Sequence, residues 1–436
     1  MNILAKIKNK KDKVAVIGVG YVGLPHIVGM AQKGIEVIGL DIQKKRVDML
    51  NAGKSYVVDI KDSQLREIIR SGKFKATGDF STLEDVDVVI ICVPTPLDKY
   101  KIPDVSYIVN AVKEVRQCLH QGMLVVLEST TYPGTTEEVV LPLLEESGLK
   151  AGKDFYLAFA PERIDPGNKM PLEDVPKVVG GITPECTKIT EEFYKQFLKH
   201  VHPVTDTKTA EMVKILENTY RLVNISMINE LRLLSWKMGI DIWEVIDAAK
   251  TKPYGFTAFY PSPKVGGHCI AIDPFYLSWK AREYNFWARF IELAGELNEQ
   301  MPHYVVSNII SVLNKNGNHL KDSKILILGV AYKKDIGDPR ESAAFDIIPN
   351  LERKGARVDY YDSHIKEFSY YDMFQKTCKT IKSINYSESI LKNYDLVLIL
   401  TDHSNMAYDA IAKKSNIVVD TRNAIKSRKY KNVYHF

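Results

Sequence analysis

Lys13-Val14-Ala15-Val16-Ile17-Gly18-Val19-Gly20-Tyr21-Val22-Gly23 decides the fold of this chain. Lys13 to Ile17 reads as a short buried strand, and a glycine-rich turn follows at once. A helical pattern then runs to about Gln32, where Gly34 stops it, and Glu36 to Leu40 forms the next strand, ending on Asp41. An acid roughly 20 residues beyond a strand, a G-x-G-x-x-G turn and a helix completes a dinucleotide fingerprint. Gly18 permits the tight turn, Gly20 lets the backbone approach a pyrophosphate, and Gly23 lets the helix pack on the strand. Asp41 would accept hydrogen bonds from a ribose diol and repel a 2′-phosphate, which favours NAD over NADP. Lys44, Lys45 and Arg46 pull against that preference.

Working outward, Val86 to Cys92, Leu124 to Leu127 and Phe155 to Ala160 read as further parallel strands, with helical patterns between them. This first unit is expected to span residues 1–205. From Thr207 to about Gly239 the pattern is helical without punctuation, and a further helix follows with Asp241 as its cap. A Pro/Gly-rich loop, Pro253 to Pro274, precedes more helix to roughly residue 315, so residues 206–318 read as a helical unit. The first pattern then returns over 319–436. Ser323 to Leu328, Val358 to Tyr361, Leu396 to Leu400 and Ile417 to Val419 are expected strands, and a helix is expected to begin near Glu341. The loop after the first of them is Gly329-Val330-Ala331-Tyr332-Lys333-Lys334-Asp335. With one glycine it cannot hold a dinucleotide in the same manner, but paired lysines would neutralise a different phosphate. The predicted fold is α/β: two Rossmann-like doubly wound domains joined by a central helical domain with a long connecting helix.

Composition narrows the class. The 436 residues are 45% hydrophobic and 26% charged, and no apolar run is long enough to cross a bilayer. Met1 to Lys13 lacks the apolar core of a secretory signal and reads as an amphipathic turn or frayed arm. The net charge of +5 is spread over the chain with no arginine-rich stripe, which argues against a nucleic-acid partner. Five scattered cysteines show neither zinc spacing nor a disulfide framework, so no metal site is indicated and a reducing cytoplasm is expected.

Cys269 is the one cysteine in a suggestive setting, Gly266-Gly267-His268-Cys269-Ile270-Ala271-Ile272-Asp273-Pro274. Two glycines before it and a carboxylate four residues after it suit an exposed loop thiol, which we read as a nucleophile. Cys92, ending a strand before Val93-Pro94-Thr95-Pro96, reads as a core residue instead. The hydroxyls of Glu128-Ser129-Thr130-Thr131-Tyr132-Pro133-Gly134 would order substrate or water, or cap a helix. Lys214 and Asn218 are four apart on the long helix and share a face. A buried pair there would stabilise an oxyanion; the alternative is a surface lysine paired with Glu211 or Glu217.

These segments together resemble the UDP-glucose/GDP-mannose dehydrogenase family of nucleotide-sugar 6-dehydrogenases. GVGYVGLP at 18–25, VPTP at 93–96, ESTTYPGTT at 128–136, APERIDPGN at 160–168, AEMVKILENTYR at 210–221, GGHCIAID at 266–273 and AYKKDIGDPRES at 331–342 carry the resemblance. The wording at 128–138 and 160–168 is most similar to UDP-N-acetylglucosamine 6-dehydrogenases. The resemblance implies oxidation of a primary alcohol to a carboxylate by two NAD. It makes Cys269 the nucleophile, with Asp273 helping to activate water, Lys214 and Asn218 stabilising oxyanions, Thr130 positioning a water and Glu162 acting as acid/base. It implies NAD contacts from Gly18, Gly20, Gly23, Asp41, Arg46, Thr95, Thr130 and Arg340. For the UDP-sugar it implies Glu162, Arg163, Lys214, Asn218, Gly266 and Lys333, with Arg422 of Asp420-Thr421-Arg422-Asn423 as a weaker candidate. Two residues depart from the pattern: Ala271 stands where proline is expected, and His26 where an aliphatic residue is commoner.

The substrate expectation is UDP-N-acetylglucosamine, with UDP-glucose and UDP-N-acetylmannosamine as alternatives. Two readings of other classes remain open: a two-electron alcohol or hydroxyacid dehydrogenase with a structural Cys269, and a non-catalytic nucleotide-sugar sensor. A homodimer through the helix from Thr207 is expected, with no membrane partner.

Overall fold

Val14, Ala15, Val16 and Ile17 follow one another without a polar break, as a strand covered on both faces requires. In the computed structural model Val14 and Val16 enter one core with Ile27 and Phe193, while Ala15 and Ile17 enter the opposite core with Val112 and Phe155. The period of two therefore divides the strand between two helical layers. The structure describes residues 2–57, 59–98, 100–164, 167, 170–372 and 376–436.

Two compact units are present: Met1–Glu217 with Phe275–Trp287, and Asn218–Pro274 with Ala288–Phe436. Residues 206–318 are shared between them, and the 32-residue helix Thr207–Met238 belongs in part to each.

The first unit is built on eight strands: β1 (Lys13–Ile17), β2 (Glu36–Leu40), β3 (Phe74–Thr77), β4 (Val88–Ile91), β5 (Leu124–Leu127), β6 (Tyr156–Phe159), β7 (Lys177–Gly181) and β8 (Val201–Pro203). Their order is β3-β2-β1-β4-β5-β6-β7-β8, parallel throughout except for the β6–β7 pair. Strand order reverses between β1 and β4, which is where an open α/β sheet receives its ligand. Ahead of the sheet, helix Ile3–Lys8 buries Ile3 and Ile7 while Lys6 pairs with Asp87 at 2.5 Å. The N-terminal segment is thus an amphipathic turn with a docked face.

The second unit repeats the logic with β9 (Lys324–Leu328), β10 (Arg357–Tyr361), β11 (Glu367–Asp372), β12 (Thr377–Lys382), β13 (Leu396–Ile399), β14 (Val418–Asp420) and β15 (Val433–His435). Five of these form an all-parallel sheet in the order β10-β9-β13-β14-β15, and β11 and β12 pair separately as an antiparallel ribbon. Ile325 and Ile327 face one core, Leu326 and Leu328 the other.

One expectation is corrected here. The segment with Cys269 is not loop as far as Pro274, because a helix runs over His268–Ala281 with Pro274 inside it. Cys269 therefore lies in the first turn of a helix rather than in the glycine loop. Pro274, in the second turn, removes one backbone hydrogen bond, and the helix continues through it.

Candidate active site

At the switch point of the first sheet, each fingerprint glycine has a distinct steric reason. Gly18 sits at φ +93°, and a Cβ there would fall 2.5 Å from the Cys92 carbonyl oxygen. A Cβ on Gly23 would fall 2.1 Å from the Gly18 carbonyl oxygen, so the helix packs too closely for any side chain. Gly20 has nothing within 4 Å of its virtual Cβ. That open approach is what a pyrophosphate against bare backbone needs.

Asp41, at the end of β2, is buried and accepts from Gln43 N at 2.8 Å and Val19 N at 3.4 Å. Arg46 reaches the same carboxylate at 3.3 Å and lies 5.6 Å from the Tyr56 ring. Its charge is thereby engaged by an acid rather than left open to a 2′-phosphate.

The ends of β4 and β5 are tied together. Thr95 Oγ1 donates to the Thr130 carbonyl at 2.7 Å, and Ser129 Oγ donates to the Val93 carbonyl at 2.8 Å. Tyr276, from the helix that begins at His268, donates its hydroxyl to the Thr95 carbonyl. Thr130 itself is half-buried.

Glu162 occupies a buried charge cluster that sequence reading did not anticipate. Lys177 Nζ lies 2.9 Å from Glu162 and 3.0 Å from Glu128, His26 Nε2 contacts Glu162, and the Tyr194 hydroxyl donates to Glu128. Burial pushes Glu162 up, but the Lys177 ammonium and His26 outweigh it and hold the carboxyl well below the usual range. Its other oxygen accepts from the backbone N–H of Arg163 at 2.7 Å and Ile164 at 2.6 Å. Arg163 extends to Glu217, with Nη2 at 2.5 Å from Oε1. Asp165, Pro166 and Asn168 of the same motif lie outside the described residues. His26, unusual for the resemblance, is a full member of this cluster.

Lys214 is 7% exposed, and the surface-lysine alternative does not hold. Glu217 is engaged by Arg163. Glu211 is buried, accepting from Gly134 N at 2.5 Å, Thr136 N at 2.9 Å and Thr136 Oγ1 at 2.7 Å. Burial pushes Glu211 up to about 7 despite those three donors.

In the second unit Asn218 Nδ2 donates to Asp273 Oδ2 at 2.6 Å, both side chains being buried. Cys269 is exposed, one helical turn before Asp273. The two glycines ahead of it serve close packing. A Cβ on Gly266 would meet the Glu341 carbonyl oxygen at 2.6 Å, and one on Gly267 would meet the Tyr332 ring at 2.7 Å. Gly267 N also donates to the Arg340 carbonyl at 3.1 Å. The thiol segment is thus seated on the segment that holds Lys333 and Arg340. Arg340 itself is clamped by Asp338 at 2.6 Å. Arg422 donates through Nε to the Leu400 carbonyl at 2.7 Å and lines a cavity of 510 Å³ with Lys250, Tyr260 and Lys426.

A three-glycine turn at one sheet's switch point, with an exposed thiol whose preceding glycines pack on the loop after β9, defines the class: a dinucleotide-dependent oxidoreductase. Sequence models of the UDP-glucose/GDP-mannose dehydrogenase family match in three consecutive parts: the NAD binding domain at 12–198, the central domain at 208–300 and the UDP binding domain at 326–427. A UDP-N-acetyl-D-mannosamine dehydrogenase from Pyrococcus horikoshii is 34% identical over 95% of this chain and 96% of its own. A UDP-N-acetyl-D-glucosamine 6-dehydrogenase from Pseudomonas aeruginosa is 37% identical over 81% and 83%. The solved structure of the UDP-D-ManNAc dehydrogenase of P. horikoshii superimposes with a TM-score of 0.87 at 32% identity, covering 97% of this chain and 98% of that one. The chain belongs to the UDP-glucose/GDP-mannose dehydrogenase family. It is a NAD-dependent UDP-sugar dehydrogenase, with a UDP-binding domain for its substrate. Among the described residues no helix is long and apolar enough to cross a membrane.

Proposed function

We propose that this enzyme oxidises UDP-N-acetylglucosamine at its 6-hydroxymethyl to the uronic acid, through a thioester on Cys269. The N-acetylglucosamine choice is supported by the motif wording and by the Pseudomonas relative at 37% identity. The single observation that carries the covalent route is an exposed Cys269 one turn from a buried Asp273 that Asn218 holds at 2.6 Å.

Gly18, Gly20, Gly23, Asp41, Thr95 and Thr130 would hold NAD, and two NAD, bound in succession, would supply the two hydride acceptors of one turnover. Loss of hydride and a proton from the primary alcohol gives an aldehyde. A carbonyl carbon is a poor second donor, because losing hydride there leaves an acylium-like centre. Addition of the Cys269 thiolate makes a tetrahedral thiohemiacetal, whose alkoxide Lys214 and Asn218 stabilise. Loss of the second hydride leaves a thioester. Water oriented by Asp273 and Thr130 then releases the carboxylate and returns the thiol. Glu162, held ionised by Lys177, would take the base half of its acid/base role, accepting a proton during thioester turnover, and would orient substrate with Arg163. We assign UDP contacts to Gly266, Lys333 and Arg422, and a dinucleotide contact to Arg340.

We assign NAD binding to residues 1–205, the thiol and dimerisation to 206–318 and the UDP-sugar to 319–436. The homodimer is supported by Tyr220, Met227, Leu231, Leu234 and Met238, all exposed at spacings of three, four and seven along one helix. A reducing cytoplasm suits a reactive thiol, and the uronic acid suits a surface polysaccharide. Incubation with UDP-N-acetylglucosamine, UDP-N-acetylmannosamine and UDP-glucose, with product mass and NADH followed, tests the substrate. Acid from UDP-glucose alone would sink the assignment.

A further inference from the structure

Half of the buried side-chain polar atoms without a partner, among the described residues, sit on four side chains of the second unit: Asn229, Arg232, Trp243 and Ser262. They are almost all donors. Arg232 offers Nε and both Nη groups, Trp243 its Nε1 and Asn229 its Nδ2; only the Ser262 hydroxyl can also accept. Arg232 is 2% exposed, and its guanidinium lies 3.9 Å from the Phe436 ring centroid.

This donor set adjoins the 510 Å³ cavity. Trp243 lines the cavity and stacks on Tyr260, another lining residue, at 6.0 Å and 18°. Asn229 is three residues before Arg232 on one helix and accepts from Ser262 N at 2.8 Å, next to Pro261 of the lining. Arg422, also lining the cavity, is close enough to Arg232 to repel it electrostatically. Burial and that repulsion, against the pull of buried Asp420, push Arg232 down to about 9, still charged at neutral pH.

An unpaired buried guanidinium is costly, and water can bond to it without neutralising it. Donors without acceptors call for an acceptor-rich anion. Among the charges lining the cavity, Lys250 is paired with Asp247 at 2.6 Å and Asp402 attracts Arg422, which leaves Lys426 as the excess cation. We propose that Arg232 joins Arg422 in an anion site that takes the diphosphate of a nucleoside diphosphate. The inference rests on the UDP-sugar reading above and adds a residue that no motif contains.

The test is calorimetry with UDP, uridine and NAD on the full-length wild type, Arg232→Met and Arg232→Lys, with melting curves of each free protein. Arg232→Met is expected to melt higher than wild type, since an unpaired charge is removed, yet to bind UDP about tenfold or more weakly. Arg232→Lys should fall between, and uridine and NAD affinities should stay within about twofold. Unchanged UDP affinity in Arg232→Met, or equal losses for UDP and uridine, would overturn the proposal. A wild type that binds NAD but no UDP would instead refute the functional reading beneath it.

Discussion

Gly18 and Gly329 make the same turn in two sheets, and the chain after them diverges. Both have positive φ, +93° and +79°, and a Cβ on either would fall 2.5 Å from a carbonyl oxygen across the switch point, Cys92 or Thr401. Both turns are also buttressed by an acid at the end of the next strand. Asp41 accepts from Val19 N at 3.4 Å, and Asp362 accepts from Val330 N at 2.7 Å and Ala331 N at 3.1 Å. There the likeness ends. Asp362 is fully buried and takes further bonds from His364 N at 2.8 Å and His403 Nε2 at 3.1 Å, leaving nothing for a ribose. Where the first turn has Gly20, open to approach, the second has Ala331, which is buried. One architecture thus holds a dinucleotide in one copy, and in the other offers Tyr332 as the seat for the thiol segment. Fold duplication fixes where a ligand can enter; the residues after the first glycine decide which one does.

Substitutions at paired positions separate the two copies. Gly18→Ala should weaken NAD binding by up to about a hundredfold through backbone strain and leave UDP binding nearly intact, while Gly329→Ala should do the reverse. Calorimetry with each nucleotide reads both; parallel losses of both ligands would mean the units are not separate sites.

The acids should divide along another line. Asp362→Asn should destabilise the protein by about 2–4 kcal/mol in denaturant titrations, because buried donors lose their acceptor. Asp41→Asn should cost little stability, weaken NAD about tenfold and narrow its margin over NADP. A large stability loss at Asp41 would erase the contrast.

A pH-dependent effect belongs to the first unit alone. Glu211 rises from 4.5 to about 7 on folding, so its contribution to stability is whole below pH 4.5 and is lost as pH rises to about 7. Chemical denaturation across that window should show Glu211→Gln flattening the fall by no more than about 3 kcal/mol.

How much of this was legible in sequence follows from what each element buries. β1, β2, β4 and β5 are continuous apolar runs beside glycine punctuation, and they read correctly to within a residue or two. β3, Phe-Lys-Ala-Thr, alternates for only four residues, β11 buries only Phe368 and Tyr370 among its described residues, and β12 is largely exposed, so their periodic signal is too short to stand out. At the site, the fingerprint and the Lys214–Asn218 spacing were readable because helical and turn geometry are local. The glycines and prolines that flank Cys269 read as loop, whereas packing against Tyr332, which explains the glycines, joins residues more than 60 apart. The Glu162 cluster and Arg232 were invisible for the same reason, since their partners come from distant strands and helices.

The central claim is that Cys269 carries the sugar between two hydride losses. Counting NADH per uronic acid in wild type and Cys269→Ala tests it most directly. The account predicts two NADH per acid in the wild type and no acid from the variant. One NADH per product, or acid formed by Cys269→Ala, would contradict it.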